Sequence, residues 1–259
     1  MIDLSFSMTD LEFFLLIVVR VTCFVFAAPF FGMTNTPNRV KIGLGVLIAV
    51  IVYRMTPVVP LEYHSLIGYT VFVLKEAMVG VIIGFSGSIC ISILNFAGHL
   101  VDMEIGLSMV SLFDPVSKET VTITGTLYNY SIMLMLLISG MYQFVLGALC
   151  ESFNLIPVTG AVFASDRIVA SMLAFLRDYL ILGFRICLPV FAAMLLLNAI
   201  LGIMAKVSPQ LNMFAVGIQL KIIIGLGVLF LTVGMLPQAS ALILQKMKEA
   251  VTIFTEAMM

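Results

Sequence analysis

Residues 75–101 read KEAMVGVIIGFSGSICISILNFAGHLV, an adjacent lysine and glutamate followed by a run with no formal charge. A helix needs about 20 apolar residues to cross a hydrocarbon core of about 30 Å, so this stretch alone points to a membrane. The ions at its start pull the other way. A charge near the bilayer centre costs from about 3 to over 10 kcal/mol, so Lys75 and Glu76 must face protein, water or a partner rather than lipid. Within the run, Gly80 and Gly84 form a small-xxx-small pair, continued by Gly87 and Ser88, that lets another helix approach closely. The spacing leaves open whether that helix belongs to this chain or to another subunit.

The same pattern extends outward. Residues 121–150, 186–205 and 222–245 contain no Asp, Glu, Lys or Arg, and residues 11–31 are interrupted only by Glu12 and Arg20. Residues 40–53 are short for a span and read as half of a hairpin. Hydrophobic residues make up 62% of the 259 and charged residues 10%, with a mean hydropathy of +1.19. Soluble domains carry about 25% charged residues. The reading is an all-α integral membrane protein built of helical hairpins, in one domain because no linker of domain size occurs.

Breaks fall at 32–41, where Asn35 and Pro37 supply turn chemistry, and at 56–65, whose two prolines exclude a continuous helix. Others fall at 98–120, 151–167 and 206–212. Two blocks are overlong. Residues 168–205 would make a helix of roughly 57 Å at ~1.5 Å per residue, so either Pro189 divides it or much of it stands against other protein. Residues 121–150 offer breaks at Gly140 and Gly147. Arg39, Lys41 and Lys206 fall on one side of such a layout, with Asp3, Asp10, Glu12, Glu62 and Asp166 mostly on the other, which predicts an external N-terminus. Lys118, Lys246 and Lys248 blur that assignment. The first ten residues lack a positive n-region, so the first block is expected to be retained.

Chemistry is sparse. A net charge of -1 and a pI near 6.1 exclude the basic footprint of nucleic-acid binding. Cys23, Cys90, Cys150 and Cys187 lie in apolar blocks without CxxC spacing and read as small buried hydrophobes. His99 and Asp102 share a helix face at i,i+3. Glu104 lies about 200° from Asp102 on a helix, so no metal is expected. No HExxH, GxSxG or Walker pattern occurs, so neither a catalytic residue nor a cofactor is expected. Arg177-Asp178 and Lys75-Glu76 point about 100° apart within each pair and need separate partners, or snorkel at an interface. Lys221, isolated among uncharged residues on both sides, calls for a partner carboxylate. The connector GLSMVSLFDPVSK (106–118) is too apolar for a plain loop. It is either a re-entrant segment that lines or blocks a cavity, or a surface loop with one buried edge. A secondary transporter has similar broken helices, but no inverted repeat is visible and Pro29, Pro189 and Pro237 do not fall in matched halves. An intramembrane enzyme would need catalytic pairs that are missing.

The run Lys206-Val-Ser-Pro-Gln-Leu-Asn-Met-Phe214, followed by Gly217-Ile-Gln-Leu-Lys221, resembles the FliR family of flagellar export-gate proteins and its relatives in virulence type III secretion. Pro209, Gln210, Asn212, Phe214 and Gly217 carry the motif. Arg20 ahead of Pro29-Phe30 and Asn38-Arg39, Glu76 ahead of Gly80 and Gly84, and then Gly98, Asp102, Gly106, Asp114 and Pro115 follow the family's order. The resemblance implies a nonenzymatic subunit with a FliP-like part (about 1–184) and a FliQ-like C-terminal hairpin (about 185–259). It further implies assembly with FliP-like and FliQ-like membrane proteins and an FlhB-like switch protein. The assembly would contact membrane lipid and pass secreted flagellar polypeptides across the bacterial inner membrane at the flagellar basal body. The equivalent subunit of a virulence apparatus is the alternative. In this picture Gly106, Leu107, Met109, Val110, Leu112, Phe113, Asp114 and Pro115 form a pore plug with Phe113 at its apolar tip. Glu76, Arg185, Lys206 and Lys221 are the expected intersubunit charge contacts.

Overall fold

The computed structural model describes residues 8–33, 36–59, 63, 66–108, 122–163, 165–208, 210 and 212–258. Regular structure among the described residues is entirely helical. In order these are α1 (Met8–Ala27), α2 (Asn38–Met55), α3 (Leu66–Ile105), α4 (Ile123–Ile138), α5 (Met141–Leu155), α6 (Ser165–Val207), α7 (Met213–Thr232), a 3-10 turn (Val233–Met235) and α8 (Leu236–Glu256). Three helical stretches are long and apolar enough to cross a membrane: Ile67–Ile105, Asp166–Val207 and Ala215–Glu256. A fourth is added if α4 and α5 count as one broken span. This is an all-α membrane protein. The first expected span does form a helix, but α1 carries Asp10, Glu12 and Arg20 and is not among those three.

The helix ends follow local chemistry, with two departures from expectation. Gly140 makes the break in 121–150, and its φ of 74° is one that a Cβ would disfavour; Gly147 lies inside α5. Pro189 does not divide its block. It sits within the 43-residue α6, where it removes one helical hydrogen bond without ending the ladder. The break expected from Gly98 begins later, because α3 runs on to Ile105. Ala97, Val101 and Ile105 recur every fourth residue and are buried, so residues 98–105 keep a packed helical face. The helix stops at Gly106, whose φ is 90° and whose N–H closes onto the Asp102 carbonyl at 3.0 Å, a left-handed helix stop.

The chain forms two compact units, and three helices contribute residues to both. The first comprises residues 1–90, 140–175 and 245–259. Its centre is α1, whose residues Phe13, Leu16, Ile17, Val21, Phe24 and Val25 are all buried. The glycine pair of α3 faces α1 of the same chain: a Cβ on Gly80 would lie 2.2 Å from the Arg20 carbonyl oxygen, and one on Gly84 2.8 Å from that of Phe24. Ser88 donates a hydrogen bond to the Ala27 carbonyl one turn further on. The small-residue stripe thus serves packing within the chain.

The second unit comprises residues 91–139 and 176–244. Here α3 and α4 touch backbone to backbone, since a Cβ on Gly98 would fall 2.1 Å from the Gly125 Cα. Phe96 of α3 packs on Tyr179 and Phe184 of α6.

Candidate functional site

The first unit holds its charge in a closed cluster. Arg20 and Glu76 are both completely buried; Arg20 Nε donates to Glu76 Oε2 at 2.5 Å and Nη2 to Oε1 at 3.0 Å. This fork-to-carboxylate geometry is the strong form of the pair. Arg20 Nη1 reaches the carbonyls of Ser152 (3.3 Å) and Ile156 (3.0 Å) at the end of α5, where the helix presents partial negative charge. The Phe153 ring lies 4.3 Å from the guanidinium carbon. The remaining need of Glu76 is met by the Thr159 N–H, 2.9 Å from Oε1. Thr159 holds a φ of 73°, a strained conformation for a β-branched residue.

Glu76, expected at an intersubunit contact, has its side chain fully enclosed in the first unit by these partners. Two opposite charges in separate apolar blocks each demand a partner, and that was visible in the sequence. Their pairing across 56 residues was not.

Lys41 and Glu12 of this unit also have partners. Lys41 donates to the Gly32 carbonyl at 3.1 Å, with the Phe26 ring 5.5 Å away. Tyr63 donates to the Glu12 carboxylate at 2.7 Å. That bond, first among several influences, raises the Tyr63 phenol above its usual titration range.

In the second unit the expected plug has a defined base. The Asp102 carboxylate is buried and accepts the backbone N–H of Thr124 at 3.2 and 3.3 Å, together with the Thr124 hydroxyl. A carboxylate of α3 thereby caps the N-terminus of α4, where an anion is favoured; Thr122, the local cap position, makes no side-chain cap bond. The chain leaves α3 and re-enters α4 at one clamped place, with the Gly98–Gly125 contact on the same two helices. Gly106 and Leu107 are half-buried beside it. Met109, Val110, Leu112, Phe113, Asp114 and Pro115 lie outside the described residues.

The remaining expected contacts separate. Lys221 is half-buried, while Arg185 and Lys206 are exposed. Among the described residues none of the three has a hydrogen-bond or ion-pair partner. In the motif, Asn212 Oδ1 accepts the Ala215 N–H at 3.4 Å and caps α7. Gln210 is exposed and Gly217 is buried, a Cβ there making only ordinary contact with Leu201 at 3.6 Å. Pro209 and the Phe214 side chain lie outside the description.

Comparison with known sequences adds the wider context. A family described as "Bacterial export proteins, family 1" matches residues 11–247. The flagellar biosynthetic protein FliR of Pectobacterium carotovorum subsp. carotovorum is 28% identical over 222 residues, covering 85% of this chain and 83% of the relative. The FliR of Bacillus subtilis (strain 168) is 29% identical over 215 residues, 81% of each chain. That of Escherichia coli (strain K12) is 24% identical over 216 residues, covering 82% and 80%.

Proposed function

The chain belongs to the bacterial export proteins, family 1, the family of the FliR flagellar biosynthetic proteins, and from that premise we propose that it is a structural subunit of the flagellar export gate. Membership makes it a membrane component of flagellar export, in a family that is not one of enzymes. The proposal adds that it assembles with FliP-like and FliQ-like membrane proteins, and with an FlhB-like switch protein, in the inner membrane at the basal body. Residues 1–184 correspond to the FliP-like part and 185–259 to the FliQ-like hairpin. Secreted flagellar polypeptides pass through the shared opening. The relatives carry flagellar names, which favours a flagellar over a virulence apparatus.

One observation carries the sealing role: an apolar segment is flanked on both sides by a clamped joint, Asp102 on Thr124 and Gly98 on Gly125. A seal for unfolded chains must exclude ions yet yield to varied side chains. Leu107, Met109, Val110, Leu112 and Phe113 suit that better than a ring of charge, which would bind some sequences and repel others. The subunit role draws support from the bare faces of the spans, since only 22% of an 18-residue apolar stretch of Asp166–Val207 and 17% of one in Ala215–Glu256 are buried within the chain. Lipid and neighbouring subunits cover the rest. Lys206 and Lys221 meet acidic groups of those neighbours. Mild detergent extraction of a tagged chain from its own host tests the reading: two other small hydrophobic membrane proteins should co-purify with it, and recovery of a stable chain alone would refute it.

A further inference from the structure

The second unit contains a cavity of about 130 Å³ that the sealing role does not use. Its wall is apolar around Leu182, Pro189 and Leu236, and it also includes Arg185 and Gln238. Tyr128 and Thr232 also line the wall, the Thr232 hydroxyl donating to the Leu229 carbonyl at 2.9 Å. Arg185 has no acidic partner among the described residues, and none of the lining residues is an Asp or Glu. An apolar recess with an uncompensated guanidinium and an amide at its edge suits a carboxylate on a short aliphatic stem. The guanidinium fork donates to both carboxylate oxygens, and the Gln238 amide supplies a further donor.

Size narrows the occupant. Sites for whole small molecules typically span about 300–1,000 Å³, so this recess takes one side chain rather than a complete lipid. We propose that the Arg185–Gln238 recess receives a glutamate or aspartate side chain from a helix of a partner membrane subunit. The proposal rests on the gate-subunit reading above and names the acceptor for one of its contacts. The partner residue is desolvated as it enters, so the contact selects its partner by charge as well as by shape.

The test compares recovery of the partner proteins by the tagged chain and by three variants, with chain abundance measured in each. Arg185→Glu should lower recovery roughly thirtyfold or more, the effect of removing one side of a desolvated charge pair. Arg185→Lys should retain part of it. Ala239→Phe, which fills the recess and leaves the cation in place, should also lose it. A screen for partner mutations that restore Arg185→Glu should return an acid changed to Lys or Arg. Full recovery with both Arg185→Glu and Ala239→Phe would overturn the recess while leaving the gate reading intact. Failure of the unaltered chain to recover partners would instead strike the gate reading. If native mass spectrometry shows anionic phospholipid lost from Arg185→Glu with partner recovery unchanged, a headgroup phosphate occupies the recess and the proposal fails.

Discussion

Replacing Arg20 by Met should destabilise the first unit. Arg20 and Glu76 have no solvent exposure, so removal of the guanidinium leaves a buried carboxyl group with the Thr159 N–H as its remaining donor. The Ile156 carbonyl also loses its contact with Arg20. Breaking a buried pair from one side costs about 3–5 kcal/mol, a large share of a stability that is typically about 5–15 kcal/mol. At about 2–4 °C per kcal/mol for a chain of this size, the midpoint of unfolding should fall by roughly 6–20 °C. The double variant Arg20→Met/Glu76→Leu should behave differently. It removes the orphaned carboxyl group, and apolar replacement of a buried pair is often neutral or better. The Thr159 N–H and Ile156 carbonyl then stand unpaired, at about 1–3 kcal/mol each. It should therefore be more stable than Arg20→Met, and its loss should be well short of the sum of the two single losses. The assay is the temperature at which detergent-solubilised chain leaves the monodisperse peak on size exclusion, read for wild type, both singles and the double. A drop of less than about 2 °C in Arg20→Met, or additive losses in the double, would refute the reasoning.

Three further outcomes are expected. Thr159→Gly keeps the N–H to Glu76 and removes a β-branched side chain from positive φ, so stability should hold or rise by up to about 1–2 kcal/mol, read as an unchanged or higher midpoint in the same assay; Thr159→Pro, which deletes the donor, should lower it. Gly80→Leu drives a side chain into the Arg20 carbonyl and should abolish accumulation of folded chain in a membrane-fraction immunoblot, whereas Gly43→Ala, with nothing within 4 Å of the added Cβ, should accumulate normally. Asp102→Asn weakens the cap on α4 by about 1 kcal/mol and loosens the base of the 106–118 segment, so ion leakage through the gate should rise with chain abundance unchanged.

The helices were written plainly where charge was absent. The blocks 186–205 and 222–245 fold as helix apart from the short 3-10 turn, and Gly140 breaks its block as its spacing foretold. The glycine pair was legible too, although only the structure chooses α1 as its partner. What stayed hidden depends on contacts distant in sequence. Residues 98–105 read as a connector because His99, Asp102 and Glu104 look polar, yet Asp102 is satisfied by Thr124 and the helix continues. Glu76 read as an outward contact because nothing local shows that Arg20 lies opposite. Pro189 read as a possible break, but it removes one hydrogen bond and the helix runs on through it. Hydropathy sets where helices form, while the choice of partner for each buried ion is a property of the fold.

The account stands most directly on the ion conductance of the assembled gate with residues 106–118 deleted. In inverted membrane vesicles carrying the complex, the deletion should leave co-purification of the partner proteins unchanged and raise the passive ion current well above that of the intact complex. A correctly assembled deletion complex that stays as tight to ions as the intact one would contradict the sealing role of this segment.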